Sequence, residues 1–88
     1  MEIPTMTHTT DQEVRLNAVY FAGTDLKTFP REIELEGTAV TFLNGLRYMV
    51  RRGAEAIRLF DMSTADGDVY RLRQEGDRWT LLGTRGAL

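Results

Sequence analysis

The sequence predicts an all-β fold, a small antiparallel meander of about seven strands that closes into a barrel or a strongly bent sheet. Three observations lead there. Turn signals at Gly37-Thr38, Asn44-Gly45, Gly53-Ala54 and Asp66-Gly67 separate short runs in which apolar and polar residues alternate. When each turn takes a loop length it can support, Ile33, Leu35, Val40, Phe42, Leu46, Tyr48, Val50, Ile57, Leu59, Tyr70 and Leu72 fall on one face. A one-residue slip at any reversal would invert every later side chain, so this agreement is a test of the fold. Finally, many short strands with a single apolar face bury that face best by curling.

Residues 1–12 are rich in threonine and poor in residues that pack, which predicts a flexible tail. Val14, Leu16, Ala18 and Tyr20 then alternate with Arg15, Asn17 and Val19, giving a first strand over residues 13–21. Residues 22–30 carry Gly23, Asp25 and Pro30 and read as a loop, with Leu26 and Phe29 turned toward the barrel end. Residues 31–36 alternate Ile33 and Leu35 with Glu32, Glu34 and Glu36. A type II′ turn at Gly37-Thr38 then sets Leu35 opposite Val40 and Ile33 opposite Phe42.

At Asn44-Gly45, a two-residue loop would bury Arg47 beside Phe42. A three-residue loop with Gly45 in a left-handed bulge pairs Phe42 with Leu46 instead. Gly53-Ala54 sets Val50 opposite Ile57 and Tyr48 opposite Leu59. Asp66-Gly67 places Ser63 opposite Tyr70 and Asp61 opposite Leu72, and Glu75-Gly76 pairs Leu72 with Trp79 and Tyr70 with Leu81. The competing pattern is α+β: Ala39, Phe42, Leu43, Leu46, Met49 and Val50 also fall at helical spacing, with a helix near 39–52. Gly45 in mid-helix and the β-branched and aromatic residues around it favour strands. One β-rich domain is therefore expected over 13–84, with a short C-terminal tail at 85–88.

Composition is that of an ordinary globular chain, 42% hydrophobic and 27% charged over 88 residues, with no cysteine for disulfides or thiolate metal sites. No run approaches the length of a membrane-spanning helix and no secretory leader is visible, so a cytoplasmic protein without membrane contact is expected. Charge is unevenly placed. Residues 1–46 hold seven acids and three bases, whereas residues 47–88 hold six acids and eight bases, and ten of the eleven bases are arginine. With a net charge of −2, strong nonspecific DNA binding is not expected.

Catalytic patterns are not evident. The single histidine, His8, lies in the expected tail, and Ser63, the one serine, is expected to face inward near a turn, so no preorganised Ser-His-Asp arrangement arises. Asp61, Asp66, Asp68 and Asp77 lack the spacing of a calcium loop, and Asp66 and Asp68 suit turn geometry. No phosphate-cradling glycine motif occurs. Neither a cofactor nor a metal is expected.

The expected outer face of the later strands is more distinctive. It gathers Arg47, Met49, Arg51, Arg58, Phe60, Met62, Val69, Arg71 and Arg73, with Phe60 opposite Arg73, Met62 opposite Arg71 and Met49 opposite Arg58. Arginine, methionine and aromatic residues are enriched at protein interfaces. The bland explanation is that arginine stems cover apolar neighbours, or that the sheet curls and Phe60 and Met62 enter a second core. The functional expectation is a small non-enzymatic binding or accessory module. In it Phe60, Met49 and Met62 form an anchor, the arginines form a rim, and the partner is another protein or a second copy of the chain. The alternative is single-stranded nucleic acid stacked on the same face.

Overall fold

The computed structural model describes residues 5–86. Seven strands follow in order: β1 (His8–Ala22), β2 (Lys27–Leu35), β3 (Thr38–Thr41), β4 (Asn44–Arg52), β5 (Glu55–Ser63), β6 (Val69–Glu75) and β7 (Arg78–Arg85). All pairings are antiparallel, in one sheet of spatial order β3-β2-β1-β7-β6-β5-β4. The fold class is thus as expected, and residues 39–52 form the end of β3, a two-residue corner and β4 rather than the alternative helix. Among the described residues no helix is long and apolar enough to cross a membrane.

The two edge strands, β3 and β4, are consecutive in the chain, with only Phe42 and Leu43 between them. Two opposite borders of a sheet can be so joined only if the sheet bends back on itself. It does so without closing, since β3 and β4 do not pair. The long strand β1 belongs to both halves of the bend. Its first part pairs with β7 and its second with β2, and register shifts around Asn17 and Ala18 let it turn. Between the halves lies the core: Val14, Ile33, Phe42, Phe60, Met62, Leu72, Trp79 and Leu81. Phe29 of one half meets Phe60 of the other edge-on at 6.0 Å, and Phe42 meets Tyr70 at 5.6 Å.

Several expectations need correction. His8 to Gln12 are not a tail, because β1 starts at His8 and pairs with β7, and Met6 is buried. Residues 1–4 of the expected tail lie outside the described residues, as do 87–88 at the other end, while Arg85 closes β7. Lys27 to Pro30 belong to β2 rather than to a loop. Phe29 does pack inward, stacked on Tyr20 at 5.3 Å, but Leu26 is 68% exposed. The β2–β3 turn is Glu36-Gly37, both with positive φ (50° and 79°), so Ile33 faces Val40 and Leu35 faces Thr38. That is a slip of two residues, and sides are kept. The β6–β7 turn, Gly76-Asp77, also slips by two, placing Trp79 opposite Gln74 and Leu81 opposite Leu72 in one register, and a register shift beyond Leu72 then sets Gly83 opposite Arg71.

Two differences change sides. No hairpin forms at Asn44-Gly45. The chain instead turns a corner, with the Phe42 N–H donating to the Arg31 carbonyl (2.7 Å) and the Leu43 N–H to the Ser63 carbonyl (2.8 Å). Phe42 is buried and Gly45 faces Met62, so two residues rather than one separate successive inward positions. The β5–β6 connection then uses a five-residue loop, 64–68, closed by the Thr64 N–H to the Asp68 carbonyl, and pairs Ser63 with Val69. Each change is odd, so they cancel for β6 and β7. Only β4 and β5 are inverted relative to expectation.

Candidate functional site

The inversion rearranges the residues expected to form a docking face. Arg47, Met49, Arg51, Arg58, Phe60 and Met62 do share one side of the β4–β5 hairpin, with Gly45 opposite Met62, Arg47 opposite Phe60 and Met49 opposite Arg58. That side is the inner one. Phe60 is 1% exposed and Met62 wholly buried, so neither can anchor a partner. Arg71 and Arg73 lie on the other side, opposite Asp61 and Leu59, while Val69 is half-buried opposite Ser63. Phe60 is opposite Leu72, not Arg73, and Met62 is opposite Tyr70, not Arg71. The expected single surface is therefore split.

What replaces it is the border strand β4. Its nine residues pair with β5 on one side and with no described strand on the other. A strand so placed leaves alternate backbone N–H and C=O groups without sheet partners. Each face also exposes an apolar side chain: Leu46 at 64% on the outer face and Met49 at 57% on the inner. β4 carries Arg47, Arg51 and Arg52 and no acid.

Its outer face is supported from beneath. Leu46, Tyr48 and Val50 lie opposite Asp61, Leu59 and Ile57. The Tyr48 hydroxyl donates to Asp61 Oδ1 (3.0 Å), and Arg71 grips the same carboxylate with Nε to Oδ1 (2.8 Å) and Nη2 to Oδ2 (2.9 Å). Burial, reinforced by the Asp61 charge and hydrogen bond, pushes the Tyr48 hydroxyl up to about 12. The Arg71 guanidinium is held more firmly protonated by its hydrogen bond to Asp61. Since Asp61 is only 7% exposed, its charge is spent within this cluster rather than offered to a ligand.

The inner face is basic. Arg47 lays its guanidinium 5.8 Å from the Phe60 ring and donates to the Thr28 carbonyl at 3.4 Å, tying β4 to the start of β2. Desolvation, followed by repulsion from Arg58, lowers its pKa. Arg58 has its Nε sealed from solvent without an acceptor. Among the described residues Arg47, Arg51, Arg52 and Arg58 make no ion pair, whereas Arg73 reaches Glu75 (2.8 Å) and Asp11 (3.5 Å) and Arg78 reaches Glu13 (3.8 Å). Beside Met49 and Arg58 lies an open depression of about 490 Å³, bordered also by Ala56 and Gln74.

Sequence reasoning missed that β4 is a border strand, and no local signal marks it. Strand order is set by the corner at Leu43-Asn44. It did pair Met49 with Arg58 correctly. No convergence suited to chemistry replaces the expected face. His8 sits opposite Thr84 in β1, Ser63 opposite Asn44, and among the described residues no three His, Cys, Asp or Glu side chains cluster to hold a metal. Comparison with protein-family models, with curated proteins and with solved structures finds no match to this chain.

Proposed function

We propose that this protein is a small non-enzymatic module that binds another protein by accepting an extended segment as an eighth strand along β4. One observation carries the reading: β4 is a long border strand with an exposed apolar side chain on each face. In strand addition, main-chain hydrogen bonds supply affinity and alternate side chains supply specificity. Arginine is also a common guard on free edges. Here Arg47 folds inward onto Phe60 and Thr28 rather than projecting beyond the edge, so it does not shield the strand's middle. Single-stranded nucleic acid fits less well: Tyr20 already lies under Arg31 (3.9 Å), stacked against Phe29, and Phe60 is buried, so neither ring is free for a base, and the exposed Phe21 stands on β1 rather than on the arginine-bearing hairpin.

Selection of random peptides on the folded protein tests this reading. Strand addition predicts selected sequences that lack proline in their central run and perturb the amides of residues 44–52. Binders that perturb another surface, or an oligonucleotide that displaces them with steep salt dependence, would contradict it.

A further inference from the structure

The two faces of β4 differ in charge, and this difference bears on the sequence of the strand it takes. On the outer side Leu46, Tyr48 and Val50 continue over Ile57 and Leu59; Asp61 there is already held by Arg71 and Tyr48, and at the hairpin end Arg52 stands opposite Glu55. An incoming side chain on that side meets apolar surface. On the inner side Arg47, Met49 and Arg51 alternate, with Arg58 opposite Met49; none of these arginines forms an ion pair among the described residues, and Asp25, itself paired with Lys27, attracts Arg47 only at a distance. Glu75, which borders the adjoining depression, is engaged by Arg73, and Glu55 at the same rim belongs to the hairpin end opposite Arg52.

Side chains of an added strand alternate between faces in step with β4. We infer that the segment bound at β4 is an extended stretch of another protein in which acidic and apolar residues alternate. Its carboxylates lie on the side of Arg47, Arg51 and Arg58, and its apolar residues lie on the side of Leu46, Tyr48 and Val50. This rests on the strand-addition reading and adds its specificity. A second copy of the chain is a poor occupant through β4 itself. Pairing β4 with β4 doubles the arginines at the junction without adding a carboxylate, and a register centred on Met49 sets Arg47 directly against Arg51.

The test uses three labelled peptides: valine alternating with glutamate, the same with glutamine for glutamate, and the glutamate peptide with a central proline. Fluorescence anisotropy on the full chain should show the glutamine peptide bound about tenfold more weakly, because two or three rim-exposed ion pairs are lost. The proline peptide should not bind. Arg51→Glu, an exposed position that leaves the core untouched, should weaken the glutamate peptide to about the level of the glutamine peptide, and circular dichroism checks that the variant is folded. Equal binding of the glutamate and glutamine peptides overturns the acidic preference while leaving strand addition in place. Glutamate and proline peptides that bind alike overturn strand addition itself. No binding by any peptide, or sedimentation as a dimer whose β4 amides are protected without peptide, overturns the inferred partner.

Discussion

β3 and β4 both border the sheet, yet β3 presents four uncharged residues where β4 presents nine, three of them arginine. The β3 border is also fastened at both ends. Its start is set by the tight Glu36-Gly37 turn, and beyond its end Arg31 Nη1 donates to the Phe42 carbonyl at 2.8 Å while the Phe42 N–H returns to the Arg31 carbonyl. Its neighbour β2 contributes Glu32 and Glu34 and the turn contributes Glu36, with Asn17 and Thr41 donating to Glu32 and Gln12 to Glu36. Brevity and fastening are ordinary ways to blunt an edge. β4 lacks the brevity: it is fastened by the Leu43 N–H to the Ser63 carbonyl and by Arg47 to Thr28, yet nine residues of border remain, resting on a platform of Phe60 and Met62 on one face and the Asp61 cluster on the other. Under the proposed reading, the contrast separates a blunted border from one open to an added strand.

The sharpest way to break the contrast is to remove the platform. Phe60→Ala should cost about 3–5 kcal/mol by urea denaturation, since Phe60 is fully buried against Phe29 and Trp79, while Glu34→Ala on β2 should stay within about 0.5 kcal/mol. Asp61→Ala should cost about 3 kcal/mol, because Arg71 loses a bidentate partner in a mostly buried site and Tyr48 loses its acceptor. At the base of β4, Gly45→Ala should cost about 1–3 kcal/mol. A Cβ there would collide with Met62 Sδ and come within 2.5 Å of the Asp61 carbonyl oxygen. A small effect of opposite sign belongs to the β3 side: Glu36→Asn should stabilise by about 0.5–1 kcal/mol, because asparagine accepts the positive φ of 50° more readily than glutamate.

Tyr48 adds a pH dependence to the β4 side, and burial also raises the Tyr20 hydroxyl on β1. The folded-state pKa of Tyr48 is raised above the ordinary value of 10.0 to about 12. The associated stability is therefore fully present below pH 10 and is lost as pH rises through 12. Tyr48→Phe should reduce the loss of stability over that window, and phenolate absorbance during an alkaline titration should lose its latest-ionising tyrosine in that variant.

Alternation along each strand was legible, and so were the all-β class and the sides of β2, β3, β6 and β7. Even slips at Gly37 and Gly76 cost nothing, because a shift of two residues keeps each side chain on its face. Odd changes were not legible. Phe42, Leu43 and Asn44 resemble the approach to a hairpin, and only the bend of the whole sheet makes them a corner between opposite borders. Asp66-Gly67 is a strong two-residue turn signal, but Thr64 and Asp68 close a longer loop around it. These two errors reversed β4 and β5 alone, and the expected Arg/Met/Phe surface was drawn largely on those strands. Gly45 was read for its conformational freedom, whereas its φ is not positive and its role is to let Met62 approach.

The most direct test is residue-by-residue amide exchange of the isolated protein and of its complex with the valine-glutamate peptide. In the isolated protein the account predicts that alternate amides of β4 exchange as fast as those of loops while β5 and β6 stay protected. In the complex those same β4 amides slow markedly and β3 does not change. Uniform protection along β4 before any peptide is added, or slowing that falls on β3 instead, would contradict it.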